Sequence, residues 1–185
     1  MFVFGIVLLV LFIFSVLWIV GTNNNLIQLR ENLKNGWAQI DVQLKRRHDL
    51  IPNLVEIAKG YMAHEKDTLE RVIKARQVAV DASNLKDKFQ AENMLTSTLR
   101  SLMAVAENYP NLKADQQMLR LQEELTSTEN KISFARQYYN DEVNRYNVAI
   151  QVFPNSIVAS FCHFEKFSFF ELDNFEDRQA PQVKF

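Results

Sequence analysis

The longest regular apolar pattern lies late in the chain. Met118, Leu121, Leu125, Ile132, Ala135, Tyr139, Val143, Tyr146, Ile150 and Phe153 recur in steps of three and four, with one seven that passes over Thr128. No Gly or Pro interrupts residues 115–153. The spacing predicts one amphipathic helix, roughly 55 Å long at 1.5 Å per residue, whose heptad seam needs partner helices to stay dry. Earlier segments offer them. Leu26, Leu29, Leu33, Trp37, Ile40 and Leu44 mark a first body helix. Leu54, Val55, Ala58, Tyr61, Met62, Leu69, Val72, Ile73 and Ala79 mark a second. Leu95, Leu99, Leu102, Met103 and Ala106 mark a third over 89–108, preceded by a polar connection at 81–88. Pro110 ends the third, because proline disfavours the helical state of the residue before it. Nothing between residues 25 and 153 alternates with period two, so no strand is expected. The predicted fold is all-α: an N-terminal transmembrane helix, then an antiparallel bundle of three to four long helices, then a short aromatic-rich tail. The corresponding boundaries are 1–21, 22–153 and 154–185.

Residues 2–20 carry no charge and are almost wholly apolar. As a helix they would cover about 29 Å, close to the hydrocarbon thickness of a bilayer. A cleaved signal peptide would have a basic start and small residues before the cut. Neither is present, and Trp18 suits a retained anchor at an interface. Arg30 and Lys34 follow the apolar run, partly offset by Glu31. That bias predicts a single-pass protein of the cell membrane, with the N-terminus outside and the bundle in the cytoplasm.

Two places punctuate the pattern. Thr22-Asn23-Asn24-Asn25 reads as a polar break or a loosened turn. Lys45-Arg46-Arg47-His48-Asp49 reads as a solvated helix end, with contact to anionic lipid or a partner as the functional alternative. Asp49 would then cap a new helix with Pro52 in its first turn. One long helix kinked at Pro52 is the competing arrangement. After Pro154, a short helix over 156–162 leads into a phenylalanine-rich run. Such dense aromatics either fold back over the bundle or form a binding surface.

Composition narrows the chemistry. A net charge of −1 gives no global field toward nucleic acid. The four glycines are too scattered to cradle a phosphate, and the single Cys162 excludes an intrachain disulfide. His48, His64 and His163 have no metal-ligand spacing, and Thr68 occupies the position where a zinc-protease helix would place its second His. No catalytic, cofactor-binding or metal residue is assigned, and no cofactor is expected. His48-Asp49-Leu50-Ile51-Pro52 faintly resembles the phospho-accepting helix of sensor kinases, but no glycine-rich ATP-binding domain follows. Polar residues crowd the seam of the long helix at Thr128, Glu129, Asn130, Arg136, Asn140, Asn144 and Asn147. A polar seam residue fixes helix register at some cost in stability. The same stripe is alternatively a recognition surface.

Asn35-Gly36-Trp37-Ala38-Gln39-Ile40-Asp41-Val42-Gln43-Leu44 and its continuation through Arg46-Arg47-His48-Asp49-Leu50-Ile51-Pro52-Asn53-Leu54-Val55 resemble the signature of the bacterial LemA family. So do Ala104-Val105-Ala106-Glu107-Asn108-Tyr109-Pro110-Asn111-Leu112-Lys113, the run at 121–132, Arg136-Gln137-Tyr138-Tyr139-Asn140, Tyr146-Asn147, Phe153-Pro154 and the closing Pro181-Gln182-Val183-Lys184-Phe185. Departures are Gly36, where relatives often have Ala, and the Phe-rich tail with Cys162. The resemblance implies a single-pass membrane protein with a helical-bundle domain and no assigned enzymatic activity. It also implies relatives in the magnetosome membrane and others encoded beside a membrane metalloprotease.

The expected function is a non-enzymatic scaffold or adaptor of the bacterial envelope that binds another protein. The alternative is an accessory regulator of a membrane protease or signalling pathway. Expected partners are the bilayer, through residues 2–20, a protein, and a second copy of the chain, but no nucleic acid. Candidate protein-contact residues are Glu129, Asn130, Arg136, Asn140, Phe167, Phe169 and Phe170.

Overall fold

The computed structural model describes residues 2–170, which fold into six helices with no strand among them. Helix α1 is Phe2–Tyr61, α2 Lys66–Asp81, α3 Leu85–Ala106, α4 Pro110–Lys113, α5 Gln116–Ala149 and α6 Asn155–Phe161. The all-α expectation therefore holds. Two compact units are formed, and both α1 and α5 contribute to each.

Helix α1 replaces three expected pieces. Neither Thr22–Asn25 nor Asp49 interrupts it, and Pro52 lies inside it. Asn is only a modest helix former, and three in a row cost less than breaking the flanking apolar turns would. The second predicted helix divides instead at 62–65. Met62 and Leu69 are seven apart and both buried, so the apolar rhythm passes through the corner without a visible break. Met62 N–H still donates to Ala58 C=O at 2.8 Å, and α2 begins where Thr68 and Leu69 N–H donate to Glu65 C=O.

Residues 41–133 and 170 belong to one unit. Its core joins Ile51, Leu54, Val55 and Ala58 of α1 to Leu69 and Val72 of α2, Leu95 and Leu102 of α3, Leu112 of α4, and Met118 and Leu125 of α5. Starts of helices are set by side chains. Asn84 Oδ1 accepts from Asp87 N–H at 2.9 Å to cap α3, and Asp115 Oδ1 accepts from both Gln117 and Met118 N–H at 2.9 Å to cap α5. Asp115 is thereby held below its usual carboxylate range, chiefly by the Met118 N–H and the Tyr61 hydroxyl.

Residues 2–40 and 134–169 form the other unit. Here Leu26, Leu33 and Ile40 of α1 and Tyr139, Val143 and Tyr146 of α5 are nearly closed to water, and Trp37 meets Tyr139 ring to ring. The seam stops short of Phe153, which is 79% exposed because α5 ends at Ala149 and the chain turns. Helix α6 closes with Phe164 N–H donating to Ala159 C=O and His163 N–H to Ser160 C=O, with His163 at φ 56°. That is the paired helix-ending motif in which one left-handed residue satisfies the last carbonyls. Within residues 2–20 every side chain is exposed except the half-buried Trp18, so α1 begins with a segment long and apolar enough to cross a membrane.

Candidate functional site

Of the basic cluster read as a solvated helix end, Arg47 and His48 are interior, while Lys45, Arg46 and Asp49 are exposed. Arg47 is 1% exposed. Its Nη1 donates to Thr96 Oγ1 at 2.8 Å and to Glu129 Oε1 at 2.6 Å, and its Nη2 is ion-paired with Glu92. His48 Nε2 lies 2.9 Å from the other Glu92 oxygen, and both residues are buried. Arg46 keeps the surface role, 3.5 Å from Glu124, as do the exposed Lys45 and Asp49. One guanidinium thus ties α1 to α3 and α5. The fork geometry of arginine allows this and a lysine ammonium would not reproduce it.

Burial pushes the Glu92 carboxyl up, but His48 and Arg47 together outweigh it and hold Glu92 below the usual carboxylate range. A general acid would need the opposite displacement. Among the described residues no group of three or more His, Cys, Asp and Glu is placed to hold a metal.

Beside it, α3 and α5 leave a groove of about 500 Å³. Leu99, Met103, Leu119 and Leu125 supply its apolar lining, while Thr96 and Glu129, both engaged by Arg47, form part of its wall. Asn130 also lines it and is exposed. Leu119 is 45% exposed there, a large aliphatic side chain left to water.

The remaining predicted contact residues are not gathered at this groove. Arg136 and Asn140 are half-buried, and each is engaged within the structure. Phe167 packs edge-on against Tyr146 with centroids 5.2 Å apart, and its backbone is clasped by Asn147. Tyr139 donates its hydroxyl to Ser168 C=O at 3.2 Å, and burial pushes that phenol up to about 12. Phe170 is 2% exposed against Phe89, centroids 4.1 Å apart, whereas Phe169 is 40% exposed. The tail beyond Phe170, including the closing motif at 181–185, lies outside the described residues.

Sequence reasoning did not single out Glu92 or Thr96. Their signal was faint: a Glu and a Thr four residues apart on α3, on the same side as the Leu95–Leu99 stripe, with a basic cluster elsewhere in need of a counter-charge.

The chain is similar in sequence to several named proteins. Protein LemA of Metamycoplasma hominis is 24% identical over 161 residues, spanning 85% of this chain and 72% of that protein. Magnetosome protein MamQ 2 of Paramagnetospirillum magneticum is 23% identical over 194 residues, spanning 89% and 71%. Magnetosome protein MamQ of Magnetospirillum gryphiswaldense is 22% identical over 173 residues, spanning 80% and 64%. The sequence model of the LemA family matches residues 36–185, from the glycine that packs on α5 to the final phenylalanine, and the chain belongs to the LemA family.

Proposed function

We propose that this protein is a membrane-anchored, non-enzymatic helical adaptor that binds a segment of another envelope protein in the α3–α5 groove. The observation that carries this reading is an apolar groove with a polar rim, Glu129 and Asn130 included, whose walls are held by the buried Arg47 cluster. Apolar anchors within a fixed polar rim suit an amphipathic helix. The membrane setting is supported by the exposed apolar start of α1 and by relatives that carry the name magnetosome protein. Arg30 and Lys34, close after the apolar run, support a cytoplasmic bundle.

The test places a photo-crosslinking residue at Leu119 or Asn130 of the full chain in intact membranes. A discrete adduct with one protein, absent from the exposed position Glu123 outside the groove, is expected. The same pattern of abundant bystanders from all three positions would refute the reading.

A further inference from the structure

Within the unit of residues 2–40 and 134–169, α5 runs antiparallel to α1 in a fixed register. The rings of Trp37 and Tyr139 meet with centroids 6.0 Å apart. Seven residues back along α1, Arg30 lies over the ring of Phe164, in the segment whose Phe167 packs on Tyr146, seven residues further along α5. Counted on from Trp37 and Tyr139, an antiparallel register sets Ile150 at the level of Leu26 and the α5–α6 corner at that of Thr22. Burial agrees with it. Leu26 is closed to water, Thr22 is 8% exposed and Trp18 is half-buried, although Trp18 belongs to the apolar run.

Helix α6 turns Val158 and Ala159 inward. Ile157 and Phe161, four apart and so on one face, point the other way and are 59% and 84% exposed. Phe153 adds a second bare ring, and Val148 and Val152 are half-exposed beside it in sequence. No Asp, Glu, Lys or Arg occurs from residue 146 to 164, nor before Arg30 on α1. Where charge resumes, Arg30 lies over the Phe164 ring at 5.4 Å. An uncharged, aromatic surface therefore lies at the level where the apolar run of α1, long enough to cross a bilayer, ends.

We propose that the α5–α6 corner is a second membrane-contact site, with Phe153, Ile157 and Phe161 seated in the interfacial layer of the bilayer that α1 crosses. The inference rests on reading α1 as an anchor. Lipid is the occupant favoured by continuity, because the bare corner falls at the level where the exposed apolar run of α1 ends and shares its lack of charge. Aromatic rings are favoured at that depth, where one side is apolar and the other wet. A second point of attachment fixes the tilt of this unit at the membrane, which a single helical tether does not.

The native Cys162, exposed next to Phe161, supplies the probe. The full chain is labelled there with an environment-sensitive fluorophore and reconstituted into vesicles of phosphatidylcholine and phosphatidylglycerol. Two controls carry Cys162→Ser with either Leu11→Cys in the apolar run or Gln137→Cys on the exposed face of α5. The Cys162 label is expected to emit blue-shifted light, to lose its quenching by iodide and to be quenched by shallow spin-labelled lipid, while the Gln137 label behaves oppositely. A Cys162 label as open to iodide as Gln137, with Leu11 quenched by lipid, overturns the contact site and leaves the anchor standing. A label shielded from both quenchers means that protein covers the corner, which also overturns it. Iodide access at Leu11 removes the anchor and the contact site together.

Discussion

The backbone carbonyl of His48 accepts a hydrogen bond from Arg76 Nε at 2.7 Å. In an uninterrupted helix that carbonyl would be taken by the N–H of residue 52, which here is proline and has none. A side chain from α2 thus fills the vacancy that Pro52 creates in α1. The helix runs through its proline because the freed backbone group has a partner, and the same bond ties α2 to α1 beside Arg47.

Removing that partner tests the account. Arg76→Met is expected to destabilise the fold by about 1–2 kcal/mol, the cost of leaving a part-buried carbonyl unpaired. Pro52→Ala restores the missing N–H, so in that background the Arg76→Met cost should shrink. Denaturant unfolding followed by helical dichroism in detergent gives the double-mutant cycle. Strictly additive losses would show that Arg76 acts through something other than the orphaned carbonyl.

Glu92 predicts a pH dependence. Its carboxyl is depressed in the fold relative to the ordinary value of 4.5, facing Arg47 and His48 of α1, with Glu129 of α5 on the same guanidinium. A depressed carboxylate contributes stability that is fully present above its unfolded value and is lost as pH falls through the folded one. Acidification below 4.5 should therefore erode stability. Glu92→Gln should flatten that acid limb and, by leaving Arg47 short of a buried counter-charge, cost about 3–5 kcal/mol at neutral pH. An acid limb as steep in the variant as in the native chain would assign the effect to other carboxylates.

These two relationships mark where sequence patterning stops. The seam of α5 was legible from Met118 to Ile150, since each position depends only on helical period and on having a partner. The apolar run of α1 was legible for another reason, since an uncharged stretch of that length is read without period or partner. The course of α1 through Pro52 was not, because it depends on Arg76, which arrives from another helix. Nor was the burial of Arg47. A run of five consecutive polar residues looks solvated until Glu92, Thr96 and Glu129 are known to converge on it. The corner at 62–65 was hidden because Met62 and Leu69 keep heptad spacing across it. At the groove, Glu129 and Asn130 were singled out by their crowding near the seam, while Leu99 and Met103 read only as core and Leu119, off the apolar rhythm, was passed over.

Gly36 offers a substitution that should stabilise. A Cβ built there would meet the Tyr138 ring at 3.4 Å and Tyr139 Cα at 3.5 Å, ordinary contact distances. Gly36→Ala therefore fits without displacement, and the helix-propensity gain of up to about 1 kcal/mol should appear as a raised melting temperature. Gly36→Leu has no such room and should destabilise by about 1–3 kcal/mol through overpacking. Equal stability of the two variants would mean that α1 and α5 are not in close approach at this level.

Asn147 holds the segment that follows α6. Its Nδ2 donates to Phe167 C=O at 2.8 Å, and its Oδ1 accepts from Phe167 N–H at 3.0 Å. One amide side chain thus pairs both backbone groups of a residue twenty positions away and keeps the Phe167 ring on Tyr146. Asn147→Ala leaves both groups unpaired and should cost about 1–3 kcal/mol. Asn147→Asp keeps the acceptor for Phe167 N–H but sets a carboxylate oxygen against the Phe167 carbonyl, in a site where the native residue is only 8% exposed. It should be at least as damaging, because a like-signed pair replaces a hydrogen bond and burial of the charge adds to it. Hydrogen exchange at the Phe167 amide separates the two. The amide should lose protection in the Ala variant and retain part of it in the Asp variant, even where the Asp variant melts earlier. Unchanged protection in the Ala variant would show that the Phe167–Tyr146 ring contact alone holds the segment.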